Sequence, residues 1–351
     1  MSSISLRAPA VRGGVLALLA AMLFGASTPF VQYFGRGLGA FTTASLLYFG
    51  AAVIGLLLRR PVEQEARLHR GDWPRLMWVA AFGAVVGPVA LAWGLQRTSG
   101  AGASLMLTLE ALFTALLAWR LYGEVMDRRV WLAMLALLVG GVTLVLDQGS
   151  LGGTRVQGMI AVGLATAAWG MDNSLSRALA ERDPAQVVMA KSALGAAATF
   201  CLALFAGEPL PSPATAAALL AIGASGYGLS LRLYLLAQRA FGAGRTGSVF
   251  AFAPFVGALI AIPMGDRLVT LGMVIGGSLM LMGVLLHLAE SHAHEHEHEA
   301  VEHEHAHRHD DGHHDHVHDP MPTGSHSHRH RHAPVRHSHA HMPDAHHTHR
   351  H

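Results

Sequence analysis

Apolar residues run along this chain in stretches of about 17 to 25, the length that spans a bilayer as a helix, and charge collects in short patches between them. Ten stretches can be marked, at 13–34, 40–58, 75–95, 99–119, 130–146, 158–178, 185–206, 214–236, 246–264 and 269–289. Each is long enough to cross a ~30 Å hydrocarbon layer, and most lack the polar outer face that a helix in water needs. The pattern predicts an all-α polytopic membrane protein with ten transmembrane helices. At residue 290 the pattern ends, and histidine begins to alternate with Glu, Ala, Ser or Arg.

Charge orients the expected bundle. With the N-terminus in the cytoplasm, fourteen arginines fall on the cytoplasmic side, and Arg36, Arg97, Arg155 and Arg267 on the other. Positive loops stay inside, so both termini are expected in the cytoplasm, with the chain multi-pass in the inner (plasma) membrane. Arg7 and Arg12 ahead of "AAMLFGAS" resemble a secretory leader. That stretch has a counterpart in the second half, so it is expected to remain. Cys201 is the only cysteine, which excludes an intramolecular disulfide.

The chain repeats itself. "QRTSGAG" from Gln96 matches "QRAFGAG" from Gln238, and the same offset aligns Phe113 with Phe255, Gly123-Glu124 with Gly265-Asp266, and Gly141 with Gly283. Nearer the start of each copy, "LFGAS" and "AWGMD" align Gly25 with Gly170. The copies are 13–146 and 158–289, and 290–351 is a third region. An odd number of spans per copy sets the two copies in opposite senses across the membrane, as in secondary transporters whose substrate site lies between inverted repeats.

"LEALFTALLAWRLYGE" with its helix ending "GGVTLVL", the twin "FAPFVGALIAIPMGD" ending "MGVLLHL", and the "WG" of the sixth span resemble the EamA domain of the drug/metabolite transporter superfamily. The resemblance spans both halves. It implies ten helices in two inverted repeats, working by alternating access on a small solute, often as an exporter. Glu110-Ala111 departs from the small residue and proline frequent at that place in the family, which Ala253-Pro254 keeps.

Ionisable side chains deep in a bilayer are costly, so they are paired or functional. Glu110 in the fourth span, Asp172 with Asn173 in the sixth, and Lys191, the chain's only lysine, in the seventh are the expected substrate or coupling-ion residues. Lys191 is expected to balance Glu110 or Asp172, or to meet a substrate carboxylate. Arg232 and Tyr227 are secondary candidates; a long arginine can snorkel to the interface. Trp93, Trp169 and Tyr234 could line a cavity or simply pack. Glu124 and Asp266, beside glycines, are expected to cap the helices that follow them.

Twenty-three of 25 histidines lie beyond residue 291. This composition cannot bury enough surface to order itself, so a disordered cytoplasmic tail is expected. His292, His294, His296, His298, His303, His305, His307, His309, His313, His314, His316 and His318 are candidate ligands for zinc, nickel, cobalt or copper, which neutral imidazole binds well. No cofactor is required.

Expected partners are the lipid bilayer, a small-molecule or metal-ion substrate and a second copy in a homodimer, with no nucleic acid. The leading reading is a secondary transporter with a metal-binding tail. The alternatives are a divalent-metal efflux path fed by that tail, and a membrane-anchored metal sensor or store that transports nothing. No nucleotide loop or nucleophile motif suggests an enzyme.

Overall fold

The computed structural model describes residues 9–59, 66–123, 126–150, 152–179, 182–241, 243–266 and 269–288, and the backbone of 293–298, 302–307, 326–331 and 335–340. Helices α1 (Pro9–Phe34) and α2 (Ala40–Leu57) are continuous. The third segment is compound: α3 (Trp73–Ala80), a π-helical stretch Ala81–Val86, then α4 (Gly87–Leu95). The fourth is broken into α5 (Gly100–Met106) and α6 (Leu109–Tyr122), and α7 (Arg128–Ser150) ends the first half. The second half repeats the plan. Helices α8 (Gly153–Ser176) and α9 (Pro184–Phe205) are followed by α10 (Pro213–Ile222), a π-helical stretch Gly223–Leu229 and α11 (Ser230–Phe241). Another broken segment, α12 (Ala243–Phe250) and α13 (Ala253–Ala261), precedes α14 (Leu271–Leu288).

All ten apolar segments are thus helical. Seven of the resulting helical rods are long and apolar enough to cross a membrane. The segments 245–261 and 271–287 are apolar but shorter, and α8, although 24 residues long, falls short of the others in hydropathy. Leu57, Leu146 and Phe205 are 71%, 70% and 90% exposed. Side chains so apolar and so bare suit a hydrocarbon solvent.

The duplication governs the packing. First-half α1 lies against α11 and α13 of the second half, and its counterpart α8 lies against α4 and α6 of the first. Helix α2 pairs with α9, and α7 with α14. Each half therefore completes the other's core. Gly25 and Gly170, aligned by the repeat, mark equivalent close approaches. A Cβ on Gly25 would come within 3.0 Å of the Ala253 carbonyl carbon, and one on Gly170 within 2.8 Å of Phe113 Cβ. The two π-helical stretches also coincide under the offset that aligns the "QR" motifs.

Carboxylates tie the helix ends across the seam. Asp266 Oδ2 accepts from Ala101 N at 2.6 Å. It caps α5 in the opposite half, where the sequence suggested the helix following it; the helix within reach is set by tertiary packing, which adjacency in sequence does not report. Glu124 lies outside the described residues. At the start of α2, Glu208 accepts from Thr42 N at 2.7 Å and Phe41 N at 3.2 Å. At the other end of the bundle Arg182 pairs with Asp72 at 2.9 Å. Bonds to a charged acceptor are worth about 1.5–3 kcal/mol, so Glu208→Ala is expected to cost about 2 kcal/mol in a denaturation titration, with Glu208→Gln losing less.

In the tail, the described backbone forms β1 (Ala293–His298), β2 (Glu302–His307), β3 (His326–Arg331) and β4 (Val335–Ala340). β1 pairs antiparallel with β4, setting His294 and His296 opposite His339 and His337. β2 pairs with β3, setting His303, His305 and His307 opposite His330, His328 and His326. The strict two-residue alternation that makes this segment low in complexity is also the period of a strand. His292, His309, His313, His314, His316 and His318 lie outside the described residues.

Candidate functional site

The site grows from one unmade backbone bond. In an α-helix the Gly83 carbonyl would accept from Gly87 N, but the widened turn gives that N–H to Phe82 O. The next donor, five residues along, would be residue 88, and that is proline, which has no N–H. Gly83 O is therefore left open in the middle of the third segment, and two side chains take it. Trp169 Nε1 of α8 donates at 3.0 Å, and the Tyr48 hydroxyl of α2 donates as well. π-helical turns are uncommon and gather at functional positions.

Directly beside Gly83 lies a buried ion pair. Lys191 Nζ of α9 bonds Asp172 Oδ2 of α8, with both residues about 95% buried. A Cβ on Gly83 would fall on the Asp172 carboxylate and within 2.7 Å of Lys191 Nζ. Only a bare backbone leaves room for the pair. Ser176 Oγ donates to the free Asp172 oxygen at 3.1 Å. One residue along α8, Asn173 Nδ2 donates to Glu110 Oε1 at 2.7 Å. Glu110 stands in the first turn of α6, just past the break in the fourth segment, where a helix N-terminus favours a carboxylate.

Aromatic rings line the same region. Phe24 of α1 meets Trp169 edge-on at 5.7 Å and Tyr227 edge-on at 5.9 Å, and lies 5.4 Å from Phe250. Tyr227, on the second π-helical stretch, is 5.6 Å from Tyr48. Tyr234 packs edge-on against Phe250 at 4.9 Å.

The four principal residues singled out from the sequence thus come together as two contacts, Glu110–Asn173 and Asp172–Lys191, sharing neighbouring positions on α8. The lysine's partner is Asp172. Tyr227 is buried among the rings, and Arg232 is half-buried on α11, five residues further along. Trp93 lies apart, under the Arg97 guanidinium at 3.7 Å. Sequence reasoning missed Tyr48, Phe24 and the Gly83 carbonyl. Pro88 inside an apolar run was the available signal, because a proline there must leave an upstream carbonyl unpaired.

Among the described residues, no group of three or more His, Cys, Asp or Glu is placed to hold a metal ion. What the site offers is a set of charges and dipoles at the junction of two halves: a carboxylate held by an amide, an ion pair, and a backbone carbonyl held by two side-chain donors.

The chain is similar to an uncharacterized transporter of Methanothermobacter thermautotrophicus, 30% identical over 234 residues that cover 65% of this chain and 68% of that protein. A protein crystal structure matches the fold with a TM-score of 0.57 at 18% identity, covering 78% of this chain and 95% of the other. The model of the EamA-like transporter family matches twice, over residues 11–146 and 156–289, and so accounts for nearly all of both halves. With the duplicated sequence, the exchanged packing of the halves and this double match in agreement, the chain belongs to the EamA-like transporter family.

Proposed function

We propose that the protein is a secondary active exporter of a small solute, working by alternating access, with ten helices crossing the inner membrane and both termini in the cytoplasm. The observation that carries this reading is the buried polar set at the seam. Glu110 of the first half is bonded to Asn173 of the second, and the Asp172–Lys191 pair abuts Gly83 of the first half. Charge at such depth is costly unless it works or is paired. Placed where the halves meet, it changes its surroundings when they rock. Glu110 is the coupling carboxylate, taking up and releasing a proton as the path turns from one side to the other, while Asp172 and Lys191 neutralise each other.

The test is uptake of labelled amino acids and organic acids into inverted membrane vesicles energised by a pH gradient. Glu110→Gln is expected to lower uptake at least tenfold, a loss of about 1.4 kcal/mol or more of coupling, with the protein present in equal amount. Unchanged uptake would remove the residue from the mechanism.

The tail supports a second element of the proposal. Its alternating histidines bind zinc, nickel, cobalt or copper in the cytoplasm, as a buffer or sensor at the inner mouth. Histidine ligands must be neutral, so zinc binding is present above pH ~6.5 and is lost as the pH falls through that value. Zinc titration of the full chain at pH 7.5 and 5.5 reads this directly. Metal as cargo is the alternative. It requires zinc, nickel or cobalt uptake in the same vesicles, reduced when the chain ends at Glu290. A non-transporting sensor would leave every uptake unchanged by Glu110→Gln.

A further inference from the structure

A cavity of about 310 Å³ opens at the end of the bundle where α1, α4 and α13 finish and α5 and α8 begin. Arg36, Arg97 and Arg155 all line it, with Gln32, Thr98 and Asp266. These come from both halves of the chain. The end is otherwise poor in positive charge, yet three of the four arginines assigned to it stand around this one hollow, and the fourth, Arg267, lies outside the described residues.

The three guanidiniums are held in place but not neutralised. Arg97 lies on the Trp93 ring and donates through Nη1 to Trp93 O at 3.0 Å. Arg155 Nη1 donates to the neutral Gln148 Oε1 at 3.3 Å. Arg36 sits 5.7 Å from the Tyr33 ring centre. Among the described residues none of the three has a carboxylate partner. The one carboxylate in the lining, Asp266, already accepts from the start of α5. Gln32 Nε2 is occupied by Leu95 O and Thr98 O, both at 2.9 Å. Thr98, nine-tenths buried, has a hydroxyl with no hydrogen-bond partner among the described residues. Like charges around one hollow repel one another, and planar guanidinium donors match the oxygens of carboxylate and phosphate. Among the described residues the lining therefore carries fixed donors and an excess of two positive charges that its one carboxylate does not balance.

We propose that this cavity is a binding site for the oxyanion group of a small solute, a carboxylate or a phosphate, at the mouth opposite the tail. The inference rests on the transport reading only in taking the occupant to be the solute that uses the path. An anionic cargo would meet these arginines on leaving or entering it. The arginine of the duplicated "QR" motif that corresponds to Arg97 is Arg239, at the opposite end of the bundle.

The test is equilibrium binding to the full chain in neutral detergent, with labelled succinate and inorganic phosphate as probes and choline as the cationic control. Native protein should bind at least one anion and not choline. Arg36→Gln, at an exposed position, and the double variant Arg36→Gln/Arg155→Gln should weaken binding in steps, reaching about tenfold or more for the pair. Arg128→Gln, an exposed arginine at the start of α7 and outside the cavity lining, should leave binding unchanged; with no gradient applied, binding is read apart from transport, so either reading can fail alone. The melting temperature of each variant confirms that it is folded. Failure of native protein to bind either anion would overturn the proposal, as would binding indifferent to Arg36→Gln and to the double variant. Binding of phosphatidylglycerol in mixed micelles without either soluble anion would identify the cavity as a lipid headgroup seat, and would equally overturn it.

Discussion

Replacing Lys191 with methionine should destabilise the fold by about 3–5 kcal/mol, the usual cost of removing one partner from a buried ion pair. Asp172 would be left with a bare carboxylate, and the only other bond to it that the structure shows is from Ser176 Oγ. The loss should be largely reversed in Asp172→Asn/Lys191→Met, because the double variant buries no uncompensated charge. An unfolding titration of the four proteins forms a double-mutant cycle, and a coupling near zero would mean that the pair does not bear on stability. The same cycle separates roles in transport. If the pair is structural, the double variant should transport nearly as well as the native protein, whereas Glu110→Gln should not.

The second large effect is expected at Gly223, the first residue of the second π-helical stretch. A Cβ there would fall within 2.6 Å of the Leu47 backbone on α2. One turn away, a Cβ on Gly50 would come within 2.9 Å of the Leu220 backbone. Backbone pressed against backbone at two successive levels cannot yield as a flexible side chain would. Gly223→Ala should therefore cost about 3 kcal/mol or more through overpacking, read as a fall in the midpoint of unfolding. Gly163→Ala on α8 is the matched control. Its nearest neighbour outside its own helix would be Met106 Cε, at an ordinary 3.5 Å. There alanine should gain about 0.5–1 kcal/mol through its better helix propensity. Equal effects at the two sites would refute the close-approach argument.

These two residues show what the sequence could and could not disclose. Apolar runs mark helical segments because burial in lipid depends on composition, and the duplicated "QR" and "GE/GD" motifs reveal that the second half repeats the first. Glu110, Asp172, Asn173 and Lys191 stood out because their charge or polarity is rare at such positions. Which of them touch was not legible. Lys191 could balance either acid until α8 and α9 were set side by side, since residues on different helices carry no spacing that specifies contact. The π-helical stretches were invisible to hydropathy, which is blind to hydrogen-bond register; Pro88 alone hinted at one of them. Asp266 was rightly suspected of capping, but the helix it caps lies in the other half of the molecule. In the tail, composition argued for disorder while the alternation itself had the period of the strands described there.

The Asp172–Lys191 pair also bears on how the chain is made. Asp172 emerges from the ribosome nineteen residues before its cation, on α8, which is not among the helices long and apolar enough to cross a membrane alone. A lone carboxylate at that depth costs at least a few kcal/mol, and α8 has little apolar surplus to offset it. Arrested nascent chains that expose only α8 should leave it outside the bilayer, and those long enough to expose α9 should carry both helices in. Helices α8 and α9 are then expected to insert as one unit, with the chain's single lysine admitting its predecessor to the membrane.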